Sequence, residues 1–337
     1  LPGVIVVRVS RKKLNAIVDN FPGKKILVWG DFILDEYIFG TTSRISREAP
    51  VLILSFRRQE FTPGGAGNTV LNLKALGASP IPVGVIGEDE PGERLIESLE
   101  KAHISTEHLI RLPSFSTPLK TRILAGEETA RKQQILRIDH EERVPAQVAV
   151  RNKLLHQLQQ LAPSVDALLI SDYNYGGVQE ELFLQIQPFF RHRPLTLDSR
   201  FRLLRFKKVT ALTPNESEAL HALKIDEVEE EDEFKTIGRQ LLHRSEAQAV
   251  LLTRGSRGMM LFERRKKPFV IPIFGTTDIV DGTGAGDTVI SVFTLALACQ
   301  ASFKEAALLA NIAGGLVVMK KGTATVSPNE LKEALHR

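Results

Sequence analysis

The stretch Asp281-Gly-Thr-Gly-Ala-Gly-Asp287 runs straight into the apolar pattern Val289, Ile290, Phe293 and Leu297. Three glycines and an alanine leave the backbone bare just where helical periodicity begins. Unshielded N–H groups of Gly284, Ala285 and Gly286, backed by the helix dipole, predict a seat for phosphoryl oxygens. Asp287 falls in the first helical turn beside that seat. A carboxylate there can accept the proton of a hydroxyl as it attacks phosphorus. A plain glycine-rich turn, with Asp287 only satisfying the helix dipole, is the competing reading.

Outward from this stretch, β-rich runs alternate with helical patterns along most of the 337 residues. Strands are expected at Ile26–Trp29, Ile81–Ile86, Ala167–Ser171, Leu195–Asp198, Val209–Leu212 and Ala249–Thr253. Helices are expected from Val70 to a stop at Gly77, over Gly92–Ala102, over Phe234–Arg244, and from near Gly286 and Lys304. Strands separated by helices imply an α/β fold with a parallel sheet covered on both faces. Ligands of such sheets sit beyond the carboxyl ends of the strands. Val51–Phe61 and roughly 119–139 break the rhythm as strands without helices between them. They predict a small flap, in segments of about 40–62 and 112–139, inserted in a single domain spanning 1–337. The acidic run Glu227–Glu233 reads as a solvated helix start.

Composition closes off several functions. Apolar residues make up 43% and charged residues 25%, the mixture of an ordinary globular chain. The net charge of +4 is spread without a basic tail, which argues against nucleic acid as a partner. Cys299 is the only cysteine, so neither an internal disulfide nor a cysteine-rich zinc site is available. The most apolar run, Thr288–Phe303, falls short of the roughly 20 residues that a membrane span needs. No signal peptide precedes the first strand, and an opening on Leu1 fits a trimmed N-terminus. A cytoplasmic protein is the expectation.

Four further motifs supply candidate ligands. Thr62-Pro-Gly-Gly-Ala-Gly-Asn68 puts small residues and an amide before a helix, for ligand approach or for a simple turn. Asn215 and Glu218 lie three apart at a helix start, suited to a hydrated magnesium ion or to helix capping. Thr253-Arg-Gly-Ser-Arg-Gly258 ends a strand and suits nucleotide phosphates or an ordinary hairpin turn. Asp31 and Asp35 follow the first strand, where sugar hydroxyls can be bound or a turn capped.

Taken in order, Gly30-Asp31…Asp35, Gly64-Gly-Ala-Gly-Asn68, Asn215-x-x-Glu218, Thr253-Arg-Gly255 and Gly284-Ala-Gly-Asp287 resemble the ribokinase-like (phosphofructokinase-B type) carbohydrate kinases. The resemblance covers about residues 24 to 330. Within that family, four stretches look like the D-glycero-β-D-manno-heptose-7-phosphate 1-kinases of lipopolysaccharide precursor synthesis. They are Ser43-Arg-Ile-Ser-Arg-Glu-Ala-Pro-Val51, Gln133-Gln-Ile-Leu-Arg-Ile-Asp139, Ser171-Asp-Tyr173 and Lys321-Gly-Thr-Ala-Thr-Val-Ser-Pro328.

The resemblance implies a three-layer αβα sandwich with a mostly parallel sheet and a small β-lid, ATP as co-substrate and Mg²⁺ as metal. It makes Asp287 the catalytic base and Gly284, Ala285 and Gly286 the anion hole. Asp31, Asp35, Gly64, Gly65 and Asn68 become sugar ligands. Asn215, Thr253, Arg254, Gly255, Gly258 and Asn311 become nucleotide ligands. Glu218 and Asn215 would organise magnesium through water, and Asp281 and Thr283 a monovalent cation such as K⁺. Lys120, Arg122 and Arg137 in the flap are candidates for a distal sugar phosphate, since guanidinium forks suit phosphate. Leu52, Ile53 and Phe56 point to a homodimer through the lid. No nucleotidyltransferase segment is expected after the last motif.

Three departures bear on the acceptor. Gly282 replaces a small branched residue, Tyr175 stands where the heptose kinases carry Lys, and Asp198-Ser199-Arg200 replaces Asp-Pro-Lys. The catalytic end is intact and the acceptor end has drifted. Another sugar kinase of the same fold, or a non-catalytic sugar- or nucleotide-binding relative, is the alternative.

Overall fold

The computed structural model describes residues 9–126, 132–228, 230, 232–275, 282–320 and 322–336. The chain opens with helix α1 (Arg11–Asp19) and strand β1 (Lys25–Gly30), then two long strands, β2 (Phe32–Ile45) and β3 (Leu52–Gly65). Helix α2 (Ala66–Ala75), β4 (Ser79–Gly87), α3 (Glu90–Lys101), β5 (Leu109–Leu112), β6 (Leu119–Gly126) and β7 (Gln133–His140) follow. Next come α4 (Val148–Leu161), β8 (Ala167–Asp172), α5 (Glu180–Ile186), β9 (Leu195–Ser199), β10 (Ala211–Leu212), α6 (Glu216–Leu223) and α7 (Glu233–Ser245). The rest comprises β11 (Ala249–Thr253), β12 (Met259–Glu263), β13 (Phe269–Ile271), α8 (Ala285–Ala298), α9 (Phe303–Val317) and α10 (Pro328–His336).

One sheet runs β13-β12-β11-β10-β9-β8-β1-β4-β5. It is parallel from β5 to β11 and antiparallel at the β11-β12-β13 edge. Alternate side chains of its strands feed two separate cores. Ile26 and Val28 join α1, α2, α3, α8, α9 and α10 on one face. Leu27 and Trp29 join α4, α5, α6 and α7 on the other. The result is the αβα sandwich that the alternating pattern predicts. Val209 and Thr210 stay outside β10, which shortens to two residues. Helices α1 and α10 have no counterpart in the sequence reading, and the antiparallel edge answers to its hairpin-turn alternative for 253–258. The edge follows from the 254–258 segment, a tight hairpin turn in which Gly258 has φ of +80° and faces the backbone of Ile271–Ile273.

The second sheet, β3-β2-β6-β7, is the lid. It begins earlier than the expected residue 40, because β2 leaves the end of β1 with only Asp31 between them. Across β2, β6 and β7 the register sets Asp35, Lys120 and Asp139 in one row. Tyr37, Arg122 and Arg137 form the next row on the same face.

The main sheet's chain order reverses between β1 and β8, the switch point where open α/β sheets leave a crevice. Asp31 sits there with its carboxylate turned inward, and it does not line either chamber beside Asp287. Its carboxylate is buried and accepts N–H bonds from Tyr173 (2.8 Å), Tyr175 (3.0 Å) and Gly177 (2.9 Å). It clasps the loop after β8 and so fixes what that loop presents to the crevice. Asp31→Ala would strand these donors, and a loss of at least about 3 kcal/mol is expected in urea unfolding. A change below about 1 kcal/mol would contradict the clasp.

Candidate active site

The glycine-rich stretches at 62–68 and 282–287 each end as a helix N-terminus, and the two termini meet over the crevice. Gly65 caps α2 with φ of +55° and Gly284 caps α8 with φ of +76°, both in the left-handed region that favours glycine. A Cβ on Gly284 would lie 2.5 Å from the Asn68 Nδ2 atom. That close approach lets Asn68 donate from Nδ2 to Asp287 Oδ2 at 2.7 Å. Thr69 donates to Oδ1 at 3.4 Å and the Tyr173 hydroxyl donates to the same oxygen at 3.3 Å. The far side of the Asn68 amide accepts from Asn72, whose own oxygen accepts from Thr288 of α8. The carboxylate is thus oriented by both helices.

Asp287 is 4% exposed. Burial, then the nearby Asp35 charge, pushes its carboxyl up to about 7, against the pull of the Asn68, Tyr173 and Thr69 donors. A carboxylate in that range is poised to take and return a proton near neutrality.

Two chambers open on either side of it. One, of about 550 Å³, is lined by Asp198, Asn215, Glu218, Thr253 and Gly286 among others. The second, of about 150 Å³, lies under the lid against Asp35, Gly65, Lys120, Arg122 and Thr283. Tyr173, Arg200, Gly284 and Asp287 line both. The two chambers therefore border one another beside Asp287.

The predicted residues divide accordingly. Gly284 and Gly286 face the larger chamber, and their N–H groups have no hydrogen bond among the described residues. The Ala285 N–H instead bonds the Gly282 carbonyl at 3.3 Å, so it closes the turn rather than the anion seat. Asp35 lines the small chamber but is already paired with Arg122 at 2.5 Å. Gly64 lets that carboxylate lie against its Cα, since a Cβ would come within 2.5 Å of it. Asn68 reaches Asp287 directly instead of standing free for a sugar. Arg137 is held bidentate by Asp139, at 2.7 and 2.5 Å. Lys120 is buried between the rings of Tyr173 and Tyr175, with no ion pair or hydrogen bond among the described residues.

Asn215 and Glu218 form a capping box for α6, each side chain bonding the other's backbone N–H at 2.9 Å. Both nevertheless face the larger chamber. Thr253 lines it too, bridged to Asn215. Arg254, Gly255 and Gly258 do not, because they build the hairpin turn. Arg254 is buried and paired with Glu216 at 3.0 Å, behind α6. Asn311 lies in α9 and donates to the Pro272 carbonyl at 2.9 Å, away from the chamber lining. Asp281 lies outside the described residues.

Three residues of the site escaped the sequence reading as functional groups. Tyr173 and Arg200 directly follow β8 and β9, Asp198 is the penultimate residue of β9, and strand-end position is the signal that marks them. The Asp198 carboxylate has no hydrogen bond among the described residues. Burial and the charges of Glu218, Asp287 and Asp172 hold its carboxyl well above the usual range. Glu218 is likewise shifted up by burial, against the Asn215 hydrogen bonds and the Arg200 charge.

The Asn68 donor lowers the pKa of Asp287, so its removal must raise it. Carbon-13 titration of aspartate carboxyls should find Asp287 near 7 in the native protein and higher still in Asn68→Ala. A native value near 4 would contradict the geometry.

Comparison with known proteins extends this reading. Residues 24–330 match the family model described as pfkB family carbohydrate kinase. A protein named Bifunctional protein HldE from Aliivibrio fischeri (strain ES114) is 37% identical over 319 residues, covering 94% of this chain and 64% of the relative. A Geobacter metallireducens protein of the same name is 37% identical over 325 residues, covering 96% and 65%. The chain thus spans just under two thirds of these curated relatives. Among solved structures, phosphofructokinase-2 from Escherichia coli in complex with potassium superposes with a TM-score of 0.73 at 18% identity, covering 93% of this chain and 98% of the other. An Arabidopsis thaliana ribokinase complexed with ribose and ATP gives 0.71 at 18%, covering 93% and 99%. These likenesses establish the ribokinase-like fold. The extent of the family match settles membership: the chain belongs to the pfkB family of carbohydrate kinases, phosphotransferases with a hydroxyl acceptor.

Proposed function

We propose that this kinase transfers the γ-phosphoryl group of ATP to the anomeric hydroxyl of D-glycero-β-D-manno-heptose 7-phosphate, giving the 1,7-bisphosphate. The observation that carries the phosphotransfer is the place of Asp287 between two chambers, at the N-terminus of α8. The heptose acceptor is supported by the four heptose-kinase-like stretches and by the extent of the match to the HldE proteins. In this reading the nucleotide occupies the larger chamber, near Asn215 and Thr253, and the sugar occupies the smaller one beside Asp35 and Gly65. ATP places the enzyme in the cytoplasm. The exposed Leu52 and Phe56 of the lid support a homodimer formed there.

A hard divalent cation suits the nucleotide side, because Asp198 offers carboxylate oxygens with no hydrogen bond among the described residues and Glu218 faces the same space. Mg²⁺ bound there with nucleotide would neutralise phosphate charge. A monovalent cation beside Thr283 belongs to the same proposal. The chain's own work is positional and electrostatic. Asp287 accepts the hydroxyl proton at a carboxylate oxygen while Asn68 and Tyr173 hold its orientation. The Gly284 and Gly286 N–H groups face the charge that develops on the transferring phosphoryl oxygens.

A different sugar-phosphate acceptor is favoured by one observation. The Tyr175 hydroxyl binds Glu141 at the acceptor end, where the heptose kinases carry Lys.

Incubation with ATP, Mg²⁺ and the heptose 7-phosphate should yield a product with phosphorus coupled to the anomeric carbon by NMR. Phosphorylation only of other sugars in a substrate panel would overturn the heptose assignment. Asp287→Asn should lower kcat by roughly 10²-fold or more while the Kd for ATP stays within about 2-fold. Near-normal turnover would remove Asp287 from the chemistry.

A further inference from the structure

On the acceptor side of the crevice the lid strands carry Asp35, Lys120, Arg122, Arg137 and Asp139, Arg200 faces them from the main sheet, Glu141, Glu142 and Arg143 lie farther out, and the pairing is uneven. Asp35 neutralises Arg122, and Asp139 neutralises Arg137. Lys120 and Arg200 remain, and neither side chain has an ion pair or hydrogen bond among the described residues. Lys120 is 4% exposed, a costly place for an ammonium with no partner. Its Nζ lies 5.4 Å from the centre of the Tyr173 ring and 5.6 Å from that of Tyr175. These faces attract the cation without neutralising it. Arg200 approaches from the end of β9 and faces the same space. Burial, then the charges of Arg200 and Arg137, pull the Lys120 ammonium below its ordinary pKa, against the opposing charges of Asp139 and Asp35.

Space matches charge. The small chamber meets a third cavity of about 360 Å³, and Arg137, Tyr173 and Arg200 line both. Lys120 and Arg200 therefore stand along the path by which an acceptor longer than the small chamber would extend away from Asp287.

We propose that Lys120 and Arg200, rather than Arg122 and Arg137, form the seat for a phosphate monoester on the acceptor, held at the end remote from the attacking hydroxyl. The dianion would supply the partner that the buried ammonium lacks and cancel its repulsion with the guanidinium. Arg200 contributes the two-pronged hydrogen bonding that a phosphate prefers, and Lys120 a point charge. This inference rests on the sugar-phosphate reading of the same site.

The test measures Kd by calorimetry for heptose 7-phosphate and for unphosphorylated heptose, in the native enzyme, Lys120→Met and Arg200→Gln. Lys120→Met keeps the aliphatic stem between the two rings, and Arg200 is exposed, so both variants should fold. Each should weaken heptose 7-phosphate by roughly 10- to 100-fold and leave the unphosphorylated sugar within about 2-fold. Equal weakening of both sugars, or no weakening, would overturn the seat, as would a loss confined to ATP. Inorganic phosphate separates this result from the identity of the sugar. At constant ionic strength it should raise the native Tm more than that of either variant. If no heptose phosphate is turned over but this difference persists, the heptose reading fails and the seat stands. If turnover proceeds with neither variant affected, the kinase reading stands and the seat is removed.

Discussion

The hydrogen bond from Asn68 to Asp287 ties together the rest of the site. It spans two helix N-termini that are 219 residues apart in the chain, and it forms only because Gly284 has no side chain to intervene. Each partner needs the other's helix. Asp287 would otherwise be a buried carboxylate without a fixed direction, and Asn68 a buried amide with unmet donors. Both glycine-rich loops, at opposite ends of the sequence, are thereby held to one geometry.

Around that bond the crevice is divided by charge. Toward β9 and α6 the carboxylates of Asp198 and Glu218 are concentrated with little compensation, an arrangement that favours protonation or a cation. Toward the lid, Asp35 and Asp139 are taken up by Arg122 and Arg137, and Lys120 and Arg200 have no ion pair among the described residues. Asp287 stands between them with its own carboxyl held high by burial. An acidic wall for a cation-bound polyphosphate and a basic wall for a single anionic group would each repel the other's ligand.

Much of this was legible in the sequence, for identifiable reasons. The sandwich follows from alternating periodicities, and the two N-terminal loops from glycine clusters before apolar helices. Asp287, Asp35, Glu218 and Thr253 reach the crevice because each lies at an element boundary facing the ends of the strands. The failures share another cause. Asp31 and Arg254 are polar residues at the right boundaries whose side chains are used inward, by loop N–H groups and by Glu216. The chemistry of a residue type does not reveal which neighbour claims it. Arg122 and Arg137 were candidates for the same reason, and only the register of β2, β6 and β7 shows the carboxylates beside them. Arg200 was noted as a change within a motif, since its freedom depends on contacts it does not make.

The central claim, that Asp287 is a base raised by its surroundings, is most directly tested by kcat/KM for the acceptor as a function of pH. Ionisation of the sugar phosphate would be measured separately by phosphorus-31 NMR and corrected for. Activity should fall on the acid side with an apparent pKa of about 7, the value to which burial lifts this carboxyl in the free enzyme. A profile that stays flat down to ordinary carboxylate values near 4 would contradict the account.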